Sequence, residues 1–340
     1  MAIVDTTNRD DVTRYEKFVS ESPYGNFMQS MNWARVKNNW ESDYVYLEDD
    51  RGQIRAAMSL LSVKNDGAHS FVYCPRGPVC DFADIDTVKE LLAEAQKIVK
   101  ERNGFLLRMD PEIGYSEDLI ERYKNSGIEN MRIMTGDFDL HAFSNPRIHM
   151  IADLSRGTYE DYWETLKSKS KNKIRRSYKF DLTTVRFRKN EEGFTQALDT
   201  FYELTEIMAA RQGISYRPKA YFLRLFESFE DVFLYQTQDE EEVLASSILL
   251  RYNKKAFYAY AASSNNKREK YPSYHMNNEM IKDAVDMGAK EYDMGGVFLA
   301  DDKDGLYLFK KVFCNEEGVF SLLGQFDIVF DEALYADFVK

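Results

Sequence analysis

The residues Lys167 to Lys179 form the strongest local field in the sequence: seven of the thirteen are basic, none is acidic, and Ser168, Ser170, Asn172 and Ser177 are interspersed. Lys167, Lys169, Lys171, Lys173, Arg175 and Arg176 suit contact with a phosphate backbone, which is electrostatic and blind to base sequence, with the hydroxyl and amide groups adding hydrogen bonds. A solvated helix face is the ordinary alternative for such a run. Ser215-Tyr216-Arg217-Pro218 follows a helix stop and offers a rigid guanidinium fork to phosphate. Gln29, Trp33 and Lys37 recur at i, i+4 and i+8, the spacing of one helix face. Taken alone, that trio reads as a core Trp with a polar rim. Tyr258 and Tyr260 alternate along a strand, which puts both on one face. Lys310 and Lys311 interrupt the apolar run Leu308–Phe313, and a lysine there needs a specific partner, because burying an unpaired charge is costly. Asp110 and Asp293 close two strands, where carboxylates serve either catalysis or capping.

Other chemistries are absent from the pattern. There is no GxGxxG and no GxxxxGK[ST], so neither a dinucleotide nor a P-loop nucleotide site is indicated. Cys74, Cys80 and Cys314 form no CxxC, and the four histidines are scattered, so no metal site or nucleophilic pair is expected. The 340 residues suggest two domains, and a net charge of −12 confines any nucleic-acid contact to a local basic patch. The start lacks an apolar signal region and no stretch is long enough to span a membrane, which points to a reducing cytoplasm.

The elements that must position these residues occur twice. Val45–Glu48 and Ile54–Val63 flank the turn Asp49–Gly52, then come strand Phe71–Cys74, helix Asp84–Arg102 and strand Phe105–Asp110. Val232–Gln236 and Val243–Arg251, strand Ala256–Ala261, a helix from Tyr274 to Met287 and strand Glu291–Met294 repeat that order about 185–190 residues later. Between the two sets lie strand His149–Leu154 and helices Asn190–Arg211 and Ala220–Phe229. Strand Gln325–Phe330 and helix Glu332–Val339 end the chain and must dock on an existing sheet. The pattern predicts an α+β fold with mixed sheets, divided near Asn145-Pro146.

A duplicated hairpin, strand and helix resembles the GNAT-type acyltransferase fold. The strand-to-helix connections Pro75–Val79 and Asn265–Lys270 lack the glycine spacing that holds the pyrophosphate of an acyl-CoA. Together, Ser22–Gly25, Trp33–Trp40, Tyr46–Asp50, Arg76–Val79, Asp110–Glu112, Arg217-Pro218, Tyr292–Gly296 and Leu306–Lys310 resemble the Fem family of non-ribosomal peptidoglycan-bridge aminoacyltransferases over nearly the whole chain. Within that family the resemblance is to the compact branch without a coiled-coil arm.

The resemblance implies two GNAT-like domains, 1–146 plus 320–340 and 147–319, the first holding a UDP-sugar-peptide cleft and the second a basic segment for aminoacyl-tRNA. It implies transfer of an amino acid, alanine before serine or glycine, to the side-chain amine of the third residue of UDP-MurNAc-pentapeptide, with no cofactor or metal and a monomeric enzyme. It matches Lys37 and Arg217 to diphosphate contacts, Tyr221 and Tyr260 to other substrate contacts, and Lys310 to the lysine at the acyl-transfer centre. Asp110 is then a candidate general base. The same chemistry on a lipid-linked precursor, acyl-CoA-dependent N-acylation, and an inactive RNA-binding module are the alternatives.

Overall fold

The computed structural model describes residues 2–136 and 145–340. The chain divides into one unit of Met1–Arg147 with Ser321–Lys340 and another of Ile148–Phe320, each built on a seven-stranded mixed sheet.

In the first unit the strands are β1 (Ala2–Ile3), β2 (Glu41–Glu48), β3 (Ile54–Lys64), β4 (Ser70–Cys74), β5 (Gly104–Met109) and β6 (Met131–Met134). The second unit contributes β7 (Ile148–Asp153), β8 (Leu182–Phe187), β9 (Val232–Asp239), β10 (Glu242–Tyr252), β11 (Lys255–Ser263) and β12 (Glu291–Val297). Strand β13 (Val319–Ser321) completes the second sheet and β14 (Gln325–Val329) returns to the first. The sheet orders are β1-β2-β3-β4-β5-β14-β6 and β13-β7-β12-β11-β10-β9-β8. β4 pairs in parallel with β5 in the first sheet, and β11 with β12 in the second.

Helices α1 (Arg9–Glu21), α2 (Met31–Val36), α3 (Ile85–Glu101) and α4 (Glu117–Lys124) belong to the first unit. Helices α5 (Tyr159–Thr165), α6 (Ser168–Ser177), α7 (Phe194–Gln212), α8 (Lys219–Ser228), α9 (Pro272–Asp286) and α10 (Gly305–Lys310) belong to the second, and α11 (Glu332–Phe338) ends the chain.

Local sequence explains much of this. Asp49 accepts from the N–H groups of Arg51 and Gln53, fixing the β2–β3 turn, and Gly52 supplies its positive φ of 73°. Asp84 caps α3, its carboxylate accepting from Thr87 N–H. Val88, Leu91, Leu92, Ala95, Ile98 and Val99 then face one side of the first sheet, against Val72 and Leu107. The other side, with Phe71 and Tyr73, packs on Leu334, Tyr335 and Phe338 of α11. Buried Arg108 of β5 clamps Asp327 of β14 with two hydrogen bonds of 2.8 and 2.7 Å, which ties the returning tail to the sheet.

Two sequence expectations fail here. Gln29, Trp33 and Lys37 do not share a helix. Asn26 caps a 3₁₀ turn at Phe27–Gln29, and Ser30 caps a separate helix, so the chain turns between Gln29 and Trp33. Gln29 is fully buried, donating to Pro75 O and accepting from Ser59 N–H. Nor do Tyr258 and Tyr260 share a face. The β10–β11 register slips between Ile248 and Leu249, which pair with Tyr260 and Tyr258, so Ala259 is an inserted bulge residue. Tyr258 therefore packs toward α9 with Tyr292 and Phe309, while Tyr260 meets Tyr221 and Phe222 of α8.

Candidate functional site

Lys310 is the last residue of α10, a helix capped by the Asp304 carboxylate on Tyr307 N–H. It is 7% exposed, and its ammonium donates to Gly296 O at 2.9 Å. That carbonyl belongs to a bend in β12, whose register against β7 slips between Asp293 and Gly296. Gly295 carries the bend at φ 71°, and a Cβ there would stand 3.6 Å from the Lys310 nitrogen. The positive φ is what calls for glycine here, since a Cβ at that distance would make only ordinary contact with the ammonium. Burial pushes the Lys310 amine down to about 8, against the opposing pull of Asp293, Cys314 and Asp304. Such a group is still cationic at neutral pH yet able to give up a proton. It suits stabilisation of an oxyanion and protonation of a leaving oxygen.

The strands beside this lysine open. β11 and β12 pair only from Lys255–Phe257 to Glu291–Asp293, after which β11 continues with β10 and β12 with β7. Tyr258–Ala261 are half-buried, although Ser246–Leu249 next to them on β10 are buried. A slot therefore forms within the second sheet at the level of Asp293. The matching pair in the first unit stays closed along β4, from Ser70–Gly104 to Cys74–Met109.

Arg217, Tyr221 and Tyr260 come together elsewhere in the second unit. Gly213 ends α7 at φ 65°, the chain crosses a short loop, and Pro218 starts α8. The exposed Arg217 guanidinium lies 5.5 Å from the Tyr221 ring centre, and the Tyr221 and Tyr260 hydroxyls bond at 2.8 Å. Burial raises both phenols, so they stay neutral hydrogen-bonding groups. Arg217 and Tyr260 line a cavity of about 350 Å³ with Phe201, Thr205, Met208 and Phe222.

The first unit carries Lys37 and Asp110. Lys37 follows α2 directly, with its ammonium 5.4 Å from the Trp33 ring and 6.0 Å from that of Trp40. Asp110 is buried and accepts from Tyr73 OH at 3.0 Å, Arg76 N–H at 2.7 Å and Asn145 Nδ2 at 2.7 Å, with the Arg76 guanidinium at 3.6 Å. Both its oxygens accept hydrogen bonds, so Asp110 ties the Arg76 and Asn145 segments together.

The basic run becomes α6, and its six candidate cations separate into three kinds. Lys167 pairs with Glu316, and Lys171 lies 3.4 Å from Glu164. Arg175 stacks at 5.3 Å on Trp163 and Arg176 at 4.8 Å on Tyr271, arrangements that orient a guanidinium without neutralising it. Lys169 and Lys173 have no acidic partner among the described residues, and with Lys167 and Lys311 they line a groove of about 590 Å³ beside α10. Sequence reasoning missed Trp163, Tyr271 and His149. His149 bonds Asp293 across 144 residues, and a pairing so distant leaves no periodic signal.

A model of the FemAB family matches residues 11–236 and 232–338. The chain is 35% identical to the UDP-N-acetylmuramoylpentapeptide-lysine N(6)-alanyltransferase of Weissella viridescens over the whole of both chains. The crystal structure of FemX superposes with a TM-score of 0.81 at 22% identity, covering 97% of this chain and 98% of that one. A tandem GNAT protein from the clavulanic acid biosynthesis pathway shares the fold, at a TM-score of 0.52 and 10% identity over 94% and 95% of the two chains. Both units are thus GNAT-like. No helix among the described residues is long and apolar enough to cross a membrane.

Proposed function

The chain belongs to the FemAB family, and from that premise we propose that it moves an amino acid, alanine foremost, from aminoacyl-tRNA to the side-chain amine of the third residue of UDP-MurNAc-pentapeptide. The similarity to the W. viridescens alanyltransferase along the whole of both chains carries this reading. The geometry supplies its chemistry. The aminoacyl ester is already activated, so the protein has to place a neutral amine on its carbonyl and stabilise the charge that develops there. The amine nitrogen forms the new C–N bond, the C–O bond to the ribose breaks, the amine loses a proton and the ribose oxygen gains one. Lys310 faces the carbonyl oxygen as a cation, and with an amine pushed down to about 8 it can pass its proton to the departing ribose and recover one from the amine.

The slot between β11 and β12 admits the aminoacyl arm toward Lys310, and Lys169, Lys173, Arg175 and Arg176 of α6 bind tRNA phosphates. Lys37 is a candidate phosphate contact of the first unit, and Arg217 of the second is the cation offered to the acceptor. Tyr221 and Tyr260 give it neutral hydrogen bonds.

The deciding experiment offers radiolabelled alanyl-, seryl- and glycyl-tRNA with UDP-MurNAc-pentapeptide, beside parallel reactions with the lipid-linked precursor and with acetyl-CoA. Labelled UDP-linked product from alanyl-tRNA is expected. Transfer only to the lipid-linked acceptor would move the substrate assignment, and acetyl transfer without aminoacyl transfer would overturn the reading.

A further inference from the structure

A lysine side chain has four rotatable bonds, so an ammonium that must meet a developing oxyanion needs something to fix it. We propose that His149 and Asp293 are positioning residues for Lys310, jointly fixing the Gly295–Gly296 bend on which its ammonium is docked. The proposal rests on Lys310 serving the transfer reaction.

The bend is pinned from both sides by one carboxylate. Asp293 Oδ2 accepts from His149 Nε2 at 2.9 Å, across the β7–β12 ladder, and Oδ1 accepts from Gly295 N–H at 2.6 Å. The register between these strands slips just beyond Asp293 and resumes where Gly296 faces His149. The irregular segment therefore begins and ends at the two members of the pair. Its outcome is the carbonyl of Gly296 held 2.9 Å from Lys310 Nζ. His149 is 3% exposed, and its Nδ1 is buried with no hydrogen-bond partner among the described residues. A residue serving packing alone has no need of that unmet polar atom, and such exceptions call for a role.

The pair also sets the charge facing Lys310. The acidic groups acting on the ammonium are Asp293 from β12, Asp304 from the start of α10 and the Cys314 thiol beyond its end. Asp293 itself is faced by His149 and by Lys255 of β11. Burial alone would raise the Asp293 carboxyl, but His149 and the Gly295 N–H outweigh it and hold it below the usual carboxylate range. Lys310 thus has a fixed negative charge nearby that offsets part of its burial, and loses its own charge only as the pH rises through about 8.

The test follows the titration of Lys310 by NMR of protein labelled at lysine Cε, its resonance identified by disappearance in Lys310→Met, with transfer kinetics measured on the same variants. Asp293→Asn should lower the Lys310 midpoint and cut kcat about tenfold or more, with KM for the UDP-linked acceptor unchanged. His149→Gln, whose Nε2 can still donate to Asp293, should keep the wild-type midpoint and most of kcat, whereas His149→Ala should lose kcat as Asp293→Asn does but without the drop in midpoint, because the Asp293 charge remains. If Asp293→Asn does not fold, the two His149 variants decide. A wild-type midpoint and rate in Asp293→Asn, or a wild-type rate in His149→Ala, would overturn the proposal. Full activity in Lys310→Met would instead overturn the role given to Lys310, while the titration still reports whether the pair governs its charge.

Discussion

The division of α6 into engaged and unengaged cations leads to a measurable asymmetry between two double variants of equal charge change. Lys169→Gln/Lys173→Gln removes two ammonium groups that have no acidic partner among the described residues and that line the groove beside α10. Lys167→Gln/Lys171→Gln removes two that already face Glu316 and Glu164. Each phosphate neutralised on binding releases condensed counterions, so the slope of log K against log salt falls by about 0.7–0.9 for every phosphate left without its cation. Two such phosphates change the slope by about 1.4–1.8, which at 0.15 M monovalent salt, relative to 1 M, amounts to roughly 15- to 30-fold in affinity. Lys167 and Lys171 must leave their carboxylates to meet phosphate, and those exposed carboxylates then stand unneutralised close by, so the second variant should change the slope by well under one unit. Binding of labelled tRNA measured from 50 to 300 mM salt reads both numbers. Equal slope changes in the two variants would refute the reasoning, and unchanged slopes in both would reduce α6 to a solvated face.

Other outcomes follow from the same geometry. Arg217→Ala removes an exposed guanidinium that holds no carboxylate among the described residues, so thermal stability should be unchanged while affinity for the UDP-linked acceptor falls by about 1.5–3 kcal/mol in calorimetry, the worth of a charge-assisted hydrogen bond. Equal affinity would remove Arg217 from the site. Tyr221→Phe breaks the 2.8 Å bond to Tyr260 and should cost about 0.5–1.5 kcal/mol of stability in denaturant unfolding, with acceptor KM rising. A stability loss with unaltered KM would make the pair structural alone. Arg108→Leu leaves Asp327 buried without its partner and should destabilise by about 3–5 kcal/mol, whereas Arg108→Leu/Asp327→Leu should recover most of the loss. A double variant as unstable as the single would show that packing, not charge, sets the cost.

The sequence was most informative wherever the signal is local or periodic. Alternation and turn chemistry located the β2–β3 and β9–β10 hairpins, and the 3.6-residue period located α3, α7 and α9. Helix α10 was not recognised, because six residues are too few for a period to show. Candidate chemistry was legible as residue type: a basic run, an Arg before a Pro, a lysine in an apolar segment.

Tertiary structure decided which of these groups meet and in what state. One inserted residue, Ala259, sends Tyr260 to Tyr221 and Tyr258 to the opposite side, and no alternation pattern reveals a bulge. Two cap residues, Asn26 and Ser30, break what spacing alone reads as one helix. The partners of Asp110 and Asp293, and the acids and rings that sort the cations of α6, lie on elements distant in sequence. Composition fixes how many charges a chain has. Only the folded chain fixes the distance and burial between them, and Coulomb and desolvation energies depend on those two quantities. For the same reason Lys310 is an ordinary lysine in the sequence, and becomes an ammonium poised near 8 only where a glycine bend and a buried carboxylate receive it.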